Sequence, residues 1–235
     1  MQILPKIKAM GKALWLEKQK VLVVADFHIG YESFLSSKGI FVPRGQLKET
    51  FKELHGLMEK VRPKTIVIAG DLKHEFGKIS EQEWRDSLAL IDFLSGKCKN
   101  IVLIRGNHDT ILGPIAKKRN LQIKDFFCLD NICILHGHKI LLDKAVHDAK
   151  ILIIAHEHPA ISLKEGPKSE IYKCFLLGKW KRKKLIVMPS FLPIIEGSDI
   201  SKEKLLSPFL YDISNFQVFV LGKDKVYKFG KLRDL

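Results

Sequence analysis

The chain has 235 residues, 46% of them hydrophobic and 28% charged, a balance typical of a globular protein with a substantial core. No stretch approaches the roughly 18 uninterrupted apolar residues of a membrane span, which excludes an integral helical membrane protein. Forty Lys and Arg against 26 Asp and Glu leave a formal net charge of +14, which favours anionic partners, nucleic acid first. The alternative is the lysine-rich surface of a heat-adapted protein, but there Glu rises together with Lys.

Lys6, Lys8 and Lys12 interrupt the apolar N-terminus and no small-residue cleavage site follows, so we expect no signal peptide and a cytoplasmic location.

The first elements along the chain are predicted to form a β-hairpin. Apolar runs at Ala13–Leu16 and Val21–Ala25 flank a short polar turn and predict two paired strands.

Strand and helix patterns then alternate. Gln46–Val61 carries apolar residues on one stripe and predicts a helix, and a second helix begins at Ser80, which has capping-box spacing to Glu83. The stripe of this second helix, predicted to face the core, comprises Trp84, Leu88, Ile91 and Leu94. Further apolar runs of strand length are Thr65–Ala69, Ile101–Ile104, Ile132–Leu135 and Ile151–Ala155. This alternation predicts an α/β fold with a largely parallel sheet.

The pattern changes after Pro159, where short strands separated by basic or Gly-bearing turns are predicted. They are Ala160–Leu163, Ile171–Leu176, Leu185–Val187, Phe216–Leu221 and Val226–Phe229. We interpret them as a second, mostly antiparallel sheet packed on the first. No linker divides the chain, so a single domain spanning residues 1–235 is expected.

The four cysteines are scattered without a Cys-x-x-Cys pair; they are Cys98, Cys128, Cys133 and Cys174. In a chain without an export signal, we expect buried apolar side chains and not disulfides or metal ligands.

Polar residues that can bind metals follow five of the predicted strands. They are Asp26 and His28, then Asp71, then Asn107, His108 and Asp109, then His136 and His138, and finally His156 and His158. Of nine histidines, only His55 and His147 lie away from strand ends. Each group alone could be an ordinary turn or helix cap, but five such coincidences are not expected. Strands of one sheet would bring these side chains to one rim, where α/β proteins bind ligands.

The residue types predict a metal site. Carboxylates, imidazoles and one amide without a thiolate suit Mn²⁺, Fe or Zn²⁺, whereas Mg²⁺ or Ca²⁺ sites would not use so many imidazoles. The ligands exceed what one ion can hold, so two ions are expected, about 3.5–4 Å apart across a shared carboxylate.

Taken in order, the motifs Asp-x-His, Gly-Asp, Gly-Asn-His-Asp, His-Gly-His and Ala-His-x-His resemble those of the calcineurin-like metallophosphoesterase superfamily. They begin at Asp26, Gly70, Gly106, His136 and Ala155, and the resemblance covers roughly residues 13–160. The segments Ala25–Gly30 and Gly39–Pro43 are similar to SbcD-related archaeal phosphoesterases and to phosphoesterases found beside DNA-repair helicases and ligases. His74 matches a histidine of SbcD-type nucleases. Ala155 replaces a usual glycine, which is tolerated if its φ is negative.

The resemblance implies a fold and a ligand set. The fold is an α/β, four-layer αββα sandwich of two mixed β-sheets flanked by helices. One metal would be held by Asp26, His28, Asp71 and His158, and the second by Asp71, Asn107, His136 and His156, with Asp71 as the bridge. Mn²⁺ is the first choice, with Fe, Zn²⁺ or Ni²⁺ as alternatives.

The resemblance also implies the catalytic residues His108, Asp109 and His74. His108 would face the scissile phosphate, with Asp109 orienting its ring and favouring the protonated form. We expect a hydroxide bridging the two metals to attack phosphorus, with His108 contributing about 10²–10⁴-fold as a general acid.

Three functions fit these features. The first is a nuclease for DNA or RNA, indicated by the charge, by His74 and by a basic stretch suited to phosphate contact and base stacking, which could also be a solvated turn. This stretch is Lys179, Trp180, Lys181, Arg182, Lys183 and Lys184. A DNA-repair or helicase partner would accompany that function. The second is an esterase for small nucleotides or cyclic phosphodiesters. The third is a non-catalytic metal-binding scaffold, against which the retained His108 argues.

Overall fold

Two β-sheets pack face to face in the computed structural model, which describes the backbone of residues 1–235 and all side chains except that of Glu165. The first is a seven-stranded sheet whose strands follow chain order. They are β1 Gln2–Leu4, β2 Ile7–Met10, β3 Ala13–Leu16, β4 Val21–Val24, β5 Thr65–Ala69, β6 Asn100–Ile104 and β7 Ile123–Lys124. Strands β1 to β4 pair antiparallel and β4 to β7 pair parallel. The predicted hairpin is confirmed, and β1 and β2 extend it.

The second sheet has nine strands, of which seven follow one hydrogen-bonded order and two form a side branch. They are β8 Phe126–Leu129, β9 Ile132–Leu135, β10 Ile151–Ile154, β11 Pro159–Glu165, β12 Lys168–Trp180, β13 Lys183–Val187, β14 Ser198–Asp199, β15 Gln217–Leu221 and β16 Val226–Lys231. Strands β9, β10 and β13 are parallel, and β12 pairs antiparallel with β11, β13 and β15. The expectation that the five ligand-bearing strands share one sheet is therefore wrong. Apolar runs reveal buried strands but do not specify which strands pair.

Helices flank the two sheets. They are α1 Tyr31–Ser37, α2 Gln46–Val61, α3 Glu81–Ser95, α4 Gly113–Lys118 and α5 Lys144–Asp148, and a 3₁₀ turn follows at Leu232–Asp234. The bounds of α2 match the predicted ones, and Ser80 caps α3 through the predicted capping box with Glu83. Among the described residues, no helix is long and apolar enough to cross a membrane.

Buried apolar side chains form three layers that hold the molecule together. Val23 and Val67 of the first sheet meet Ile134, Ile153 and Phe175 of the second between the sheets. A second layer joins the outer face of the first sheet to α2, α3 and α4. A third joins the outer face of the second sheet to α5 and the segment 200–216. The fold is thus the predicted four-layer αββα sandwich of two mixed sheets.

Trp84 was predicted to face the core, but it is 37% exposed, whereas the neighbouring Glu83 is buried. The rest of the predicted stripe packs inward. The Glu83 carboxylate accepts hydrogen bonds from the backbone N–H groups of His74 at 2.9 Å, Glu75 at 2.6 Å and Ser80 at 2.7 Å. A buried carboxylate needs such partners, and they turn this face of the helix inward.

Two of the cysteines also differ from expectation. Cys128 and Cys133 lie opposite each other in the β8–β9 hairpin, with Cα atoms 4.1 Å apart, and form a disulfide. The hairpin brings together residues whose spacing in sequence gave no sign of pairing. Cys98 and Cys174 are buried free thiols, as predicted.

Candidate metal centre

The carboxyl ends of β4, β5 and β6 meet those of β9 and β10 where the two sheets face each other. We call this the metal edge. Backbone hydrogen bonds join its loops: Asp26 N–H to the Gly70 carbonyl at 3.1 Å, His28 N–H to the Asp71 carbonyl at 3.0 Å, and Ala155 N–H to the His136 carbonyl at 2.9 Å. Parallel strands deliver the residues that follow them to the same edge, so convergence occurs although two sheets contribute.

Many of the predicted ligands adopt left-handed backbone conformations. The φ angles are 55° at Asp26, 46° at His28, 48° at Asp71, 69° at His156 and 49° at His158. Asp and His tolerate this region better than most residues, but the conformation remains uncommon outside glycine. Such strain, of order 1–3 kcal/mol per residue, persists where surrounding structure holds it and is concentrated at functional sites.

Two glycines at the metal edge are required by close approach. A Cβ atom at Gly106 would lie 2.0 Å from Asp71 Oδ1, and one at Gly70, where φ is +93°, would lie 2.3 Å from His136 Nδ1. Ala155 lies outside the left-handed region, which is the condition under which alanine was expected to be tolerated there.

The first cluster combines Asp26, His28 and His158, which each offer a ligand atom within 4.8 Å of the others. His158 Nε2 lies 3.4 Å from Asp26 Oδ2 and 3.2 Å from His28 Nε2. Two imidazole nitrogens that face each other cannot both act as acceptors in a hydrogen bond, but both can bind one cation.

The second cluster combines Asp71, His136 and His156 at the same mutual distances. His136 Nε2 lies 3.2 Å from Asp71 Oδ2 and 3.0 Å from Asn107 Oδ1, so the amide joins this cluster as predicted. The metal edge therefore brings all seven predicted ligands into two neighbouring groups.

Asp71 lies between the two clusters. Its Oδ2 is 3.2 Å from His136 Nε2 and 3.7 Å from His28 Nε2, while its Oδ1 accepts a hydrogen bond from the His108 backbone N–H at 2.9 Å. Burial alone would raise the pKa of this carboxyl group, but the hydrogen bond and charge of His136 lower it well below the ordinary value. The same pair acts in reverse on His136, where Asp71 outweighs burial and raises the pKa to about 9.

The donor set at the metal edge fits divalent cations. Asp26 Oδ1 is buried and has no hydrogen-bond partner among the described atoms. His136 Nδ1 lies 3.5 Å from this oxygen without hydrogen-bonding to it. A buried carboxylate oxygen that lacks a hydrogen bond is costly, and a cation would satisfy it. Burial and the neighbouring His158 also lower the pKa of His28 well below its ordinary value, which favours the neutral imidazole that binds metals.

His108 and His74 lie beside the first cluster, and the rings of both contact that of His28. His108 Nδ1 contacts the backbone carbonyl of His74, and its Nε2 lies 4.0 Å from Asp71 Oδ2. His74 Nδ1 lies 3.2 Å from His28 Nδ1. Burial, followed by the charge of His108, lowers the pKa of His74 to about 4.

Asp109 does not orient the His108 ring as predicted. Its carboxylate is fully buried and accepts hydrogen bonds from the backbone N–H groups of Gly106 at 3.0 Å, Leu72 at 3.3 Å and Lys73 at 3.4 Å. Burial raises its pKa to about 6, with a contribution from the charge of Asp71. Asp109 therefore joins the loops after β5 and β6, and a backbone carbonyl holds the His108 ring instead.

One residue at the metal edge was not predicted. The Phe76 ring centroid lies 3.8 Å from that of His108, although Phe76 itself is 56% exposed. The sequence signal is an aromatic residue in the loop that follows the Gly-Asp motif.

The basic stretch 179–184 lies at the opposite end of the second sheet. It forms the tight turn between β12 and β13, and Lys184 pairs with Ile151 at the start of β10, whereas the ligands follow the end of that strand. Four strand residues separate the two ends, or about 13 Å. Trp180 packs on Phe209 with ring centroids 4.8 Å apart. The structure thus does not bring this stretch to the metal edge.

Comparison with known proteins places these features in a family. The model of the family described as calcineurin-like phosphoesterase matches residues 19–220. The chain is similar to the nuclease MPE of Pseudomonas putida, with 20% identity, a TM-score of 0.65, and coverage of 93% of this chain and 92% of that one. It also matches Yfce, a phosphoesterase from E. coli, with 15% identity, a TM-score of 0.40, and coverage of 88% and 90%. No match was found among curated proteins.

Proposed function

The chain belongs to the calcineurin-like phosphoesterase family, and we propose that it is a two-metal phosphodiesterase acting on DNA or RNA. Membership supports a metal-dependent phosphoesterase, and the His and Asp clusters could bind divalent ions. The position of Asp71 carries the proposal of two metals. Its Oδ2 lies within 3.7 Å of a nitrogen in each cluster, which is what a bridging carboxylate requires.

We assign one cation to Asp26, His28, Asp71 and His158, and the other to Asp71, Asn107, His136 and His156. Mn²⁺ is our first choice because carboxylate and carbonyl ligands suit it, and the imidazoles make Fe, Zn²⁺ and Ni²⁺ the alternatives. When bound, two such ions supply Lewis acidity and lower the pKa of water enough for attack on a phosphodiester at neutral pH.

His108 acts as the proton donor in this proposal. Its Nδ1 contacts a carbonyl oxygen, which can only accept a hydrogen bond, so Nδ1 carries a hydrogen. That leaves Nε2 directed toward the clusters, 4.0 Å from Asp71 Oδ2, where it can hold a proton for the leaving oxygen. His74 supplies the carbonyl and contacts His28, so it positions both rings.

Nucleic acid is the preferred substrate because the formal net charge of +14 attracts polyanions over long range. The fold of the P. putida nuclease is compatible with this choice. A DNA-repair or helicase partner stays a prediction.

The test is a Mn²⁺ titration of hydrolysis with DNA oligonucleotides, RNA oligonucleotides and bis(p-nitrophenyl) phosphate. We expect hydrolysis of the aryl diester and of at least one nucleic acid. His108→Ala should lower turnover about 10²–10⁴-fold while still binding Mn²⁺, because the proton donor is not a ligand. His55→Ala, on the exposed face of α2, is the matched control and should remain fully active.

Two outcomes would contradict the proposal. Hydrolysis of aryl monoesters only, with no diester turned over at any Mn²⁺ concentration, would exclude a phosphodiesterase. Full activity of His108→Ala would remove His108 from the mechanism.

A further inference from the structure

Residues 74–80, the second part of the connection between β5 and α3, place an exposed aromatic ring at the metal edge. The ring of Phe76 packs on that of His108 with centroids 3.8 Å apart and planes tilted by 37°. The His74 ring also stacks on His108, at 5.2 Å and 26°. A set of contacting rings therefore runs outward from the metal clusters and includes Phe76, which is 56% exposed.

The backbone on both sides of Phe76 is fixed. Glu83 accepts hydrogen bonds from the N–H groups of His74 and Glu75 before it and of Ser80 after it. The buried Lys73 ammonium donates to the carbonyl of Glu75. Single exposed apolar residues are ordinary on protein surfaces. This one differs because its loop is anchored and its ring contacts the proposed proton donor.

We propose that Phe76 is a stacking platform for a nucleobase next to the scissile phosphodiester. This inference rests on the proposed function and names the part of the substrate that the site recognises beyond phosphate. A phosphate placed between the metal clusters and His108 would have its neighbouring nucleotide beside Phe76. Aromatic rings stack on nucleobases of any sequence, because every base presents a π-face.

The platform would make recognition independent of base identity. No charged side chain is needed for the contact, and alanine substitution of such stacking residues weakens binding about 5- to 150-fold per base. The two metal clusters would supply the contact to the phosphate, and Phe76 the apolar contact to the base. The predicted selectivity is for a phosphodiester that carries any base over one that carries none.

A matched pair of esters tests this contact. The p-nitrophenyl ester of thymidine 5′-phosphate carries a base beside the scissile bond, and the p-nitrophenyl ester of 2-deoxyribose 5′-phosphate carries none. With Mn²⁺, the wild-type protein should prefer the first by at least about 5-fold in kcat/KM. Phe76→Leu should reduce this ratio to near one, whereas Phe76→Tyr should keep it.

The ratio cancels any effect of the substitution on His108, since both esters share the leaving group and the chemistry. Phe229→Leu, an exposed phenylalanine on β16, is the control and should leave the ratio unchanged. A ratio insensitive to Phe76→Leu, with both esters hydrolysed, would overturn this inference alone. If the wild type hydrolysed neither ester, the proposed function would fail and this inference with it.

A binding measurement without turnover gives an independent readout. In chelator, a fluorescent single-stranded oligothymidylate should bind the wild type more tightly than an abasic oligomer of equal length. Phe76→Leu should weaken the first complex about 5-fold or more and leave the second unchanged. Equal weakening of both complexes would indicate a structural role for Phe76 and overturn the stacking contact.

Discussion

The two ends of the parallel strands in the second sheet differ sharply, although both carry groups that can be positively charged. At the metal edge, the carboxylates are buried and the imidazoles are buried or half-buried, and left-handed backbone at His156 and His158 turns the chain there. At the other end, Lys181 and Arg182 form an exposed turn. Buried groups interact strongly because water does not screen them, whereas exposed charges interact weakly.

The overall charge of a protein therefore does not locate its reactive groups. The net charge of +14 describes the whole surface and its attraction for polyanions, but the reactive groups are those withdrawn from solvent. Lys173 belongs to the same sheet as the exposed lysines of the turn, but it is buried. Its ammonium donates to Ser190 Oγ at 2.8 Å and to the Leu192 carbonyl at 2.9 Å.

The largest effect is expected from Asp71→Asn, which keeps the side-chain size but removes the proposed bridging charge. We expect loss of both cations together and a fall in diesterase turnover on the order of 10³-fold or more, because metal charge stabilisation is worth several kcal/mol. Elemental analysis after Mn²⁺ loading measures the number of bound cations, and steady-state kinetics measures diesterase turnover. Asp125→Asn, an exposed carboxylate, is the control. Two manganese ions per chain in Asp71→Asn would refute the bridge.

A smaller effect is expected from Gly106→Ala, because the new methyl group would lie 2.0 Å from Asp71 Oδ1 and 2.4 Å from its backbone nitrogen. Displacing a ligand from its supporting contacts should weaken metal affinity about 10–100-fold. Gly113→Ala at the start of α4, where a Cβ meets nothing within 4 Å, should bind Mn²⁺ like the wild type. Calorimetric titration measures the Mn²⁺ affinity of both variants. Equal affinities of the two variants would show that metal binding tolerates a displacement of Asp71.

Much of the metal edge could be predicted because its residues follow strands directly. The run Thr65–Ala69 is a strand with the predicted bounds, and Asp71 follows it at the edge. Strand ends and ligand types are local properties, and local properties can be found in sequence. The resemblance in motif order then added a predicted grouping of the ligands, and in the structure Asp71 lies between the two clusters.

The features that could not be predicted depend on tertiary contacts. The pairing of β9 with β10 in a separate sheet is decided by packing between faces, not by apolar runs. Asp109 turned out to bind backbone N–H groups, because the loops after β5 and β6 approach it only in the fold. The disulfide between Cys128 and Cys133 depends on the hairpin register for the same reason.

The buried Lys173 predicts a pH dependence of stability. Burial, together with the charge of Lys12, lowers its pKa from 10.5 to about 7, while Glu196, Asp26 and Glu53 act in the opposite direction. Between pH 7 and 10 the unfolded chain therefore binds more protons at this position than the folded one. The free energy of unfolding should rise with pH in this window, on the order of 2–3 kcal/mol.

Urea denaturation in chelator at pH 7 and pH 9.5 measures this rise. Lys173→Met has no proton to release, so its free energy of unfolding should rise less over the same interval than that of the wild type. Lys223→Met, at an exposed position, should behave like the wild type. The same rise in Lys173→Met as in the wild type would assign the pH dependence to other groups.

The smallest effect is expected at the basic turn. The triple substitution Lys179→Ala, Lys181→Ala and Arg182→Ala should leave hydrolysis of bis(p-nitrophenyl) phosphate within about twofold, since exposed charges at that distance are screened. Its oligonucleotide affinity should fall no more than that of an equal charge change on α2, made by substituting Lys48, Lys52 and Lys60 with alanine.

Salt titrations of oligonucleotide binding decide whether the two ends of the sheet act separately. Each phosphate contact contributes about 0.7 to the slope of log affinity against log salt for single strands. A slope that falls by about 2 in the turn triple, but not in the α2 triple, would show that the turn binds the nucleic-acid backbone. The two ends would then have different roles: the turn would bind a long strand, and the metal edge would hydrolyse it. Equal slopes would leave recognition to the metal edge, where buried carboxylates and the exposed ring of Phe76 lie close together.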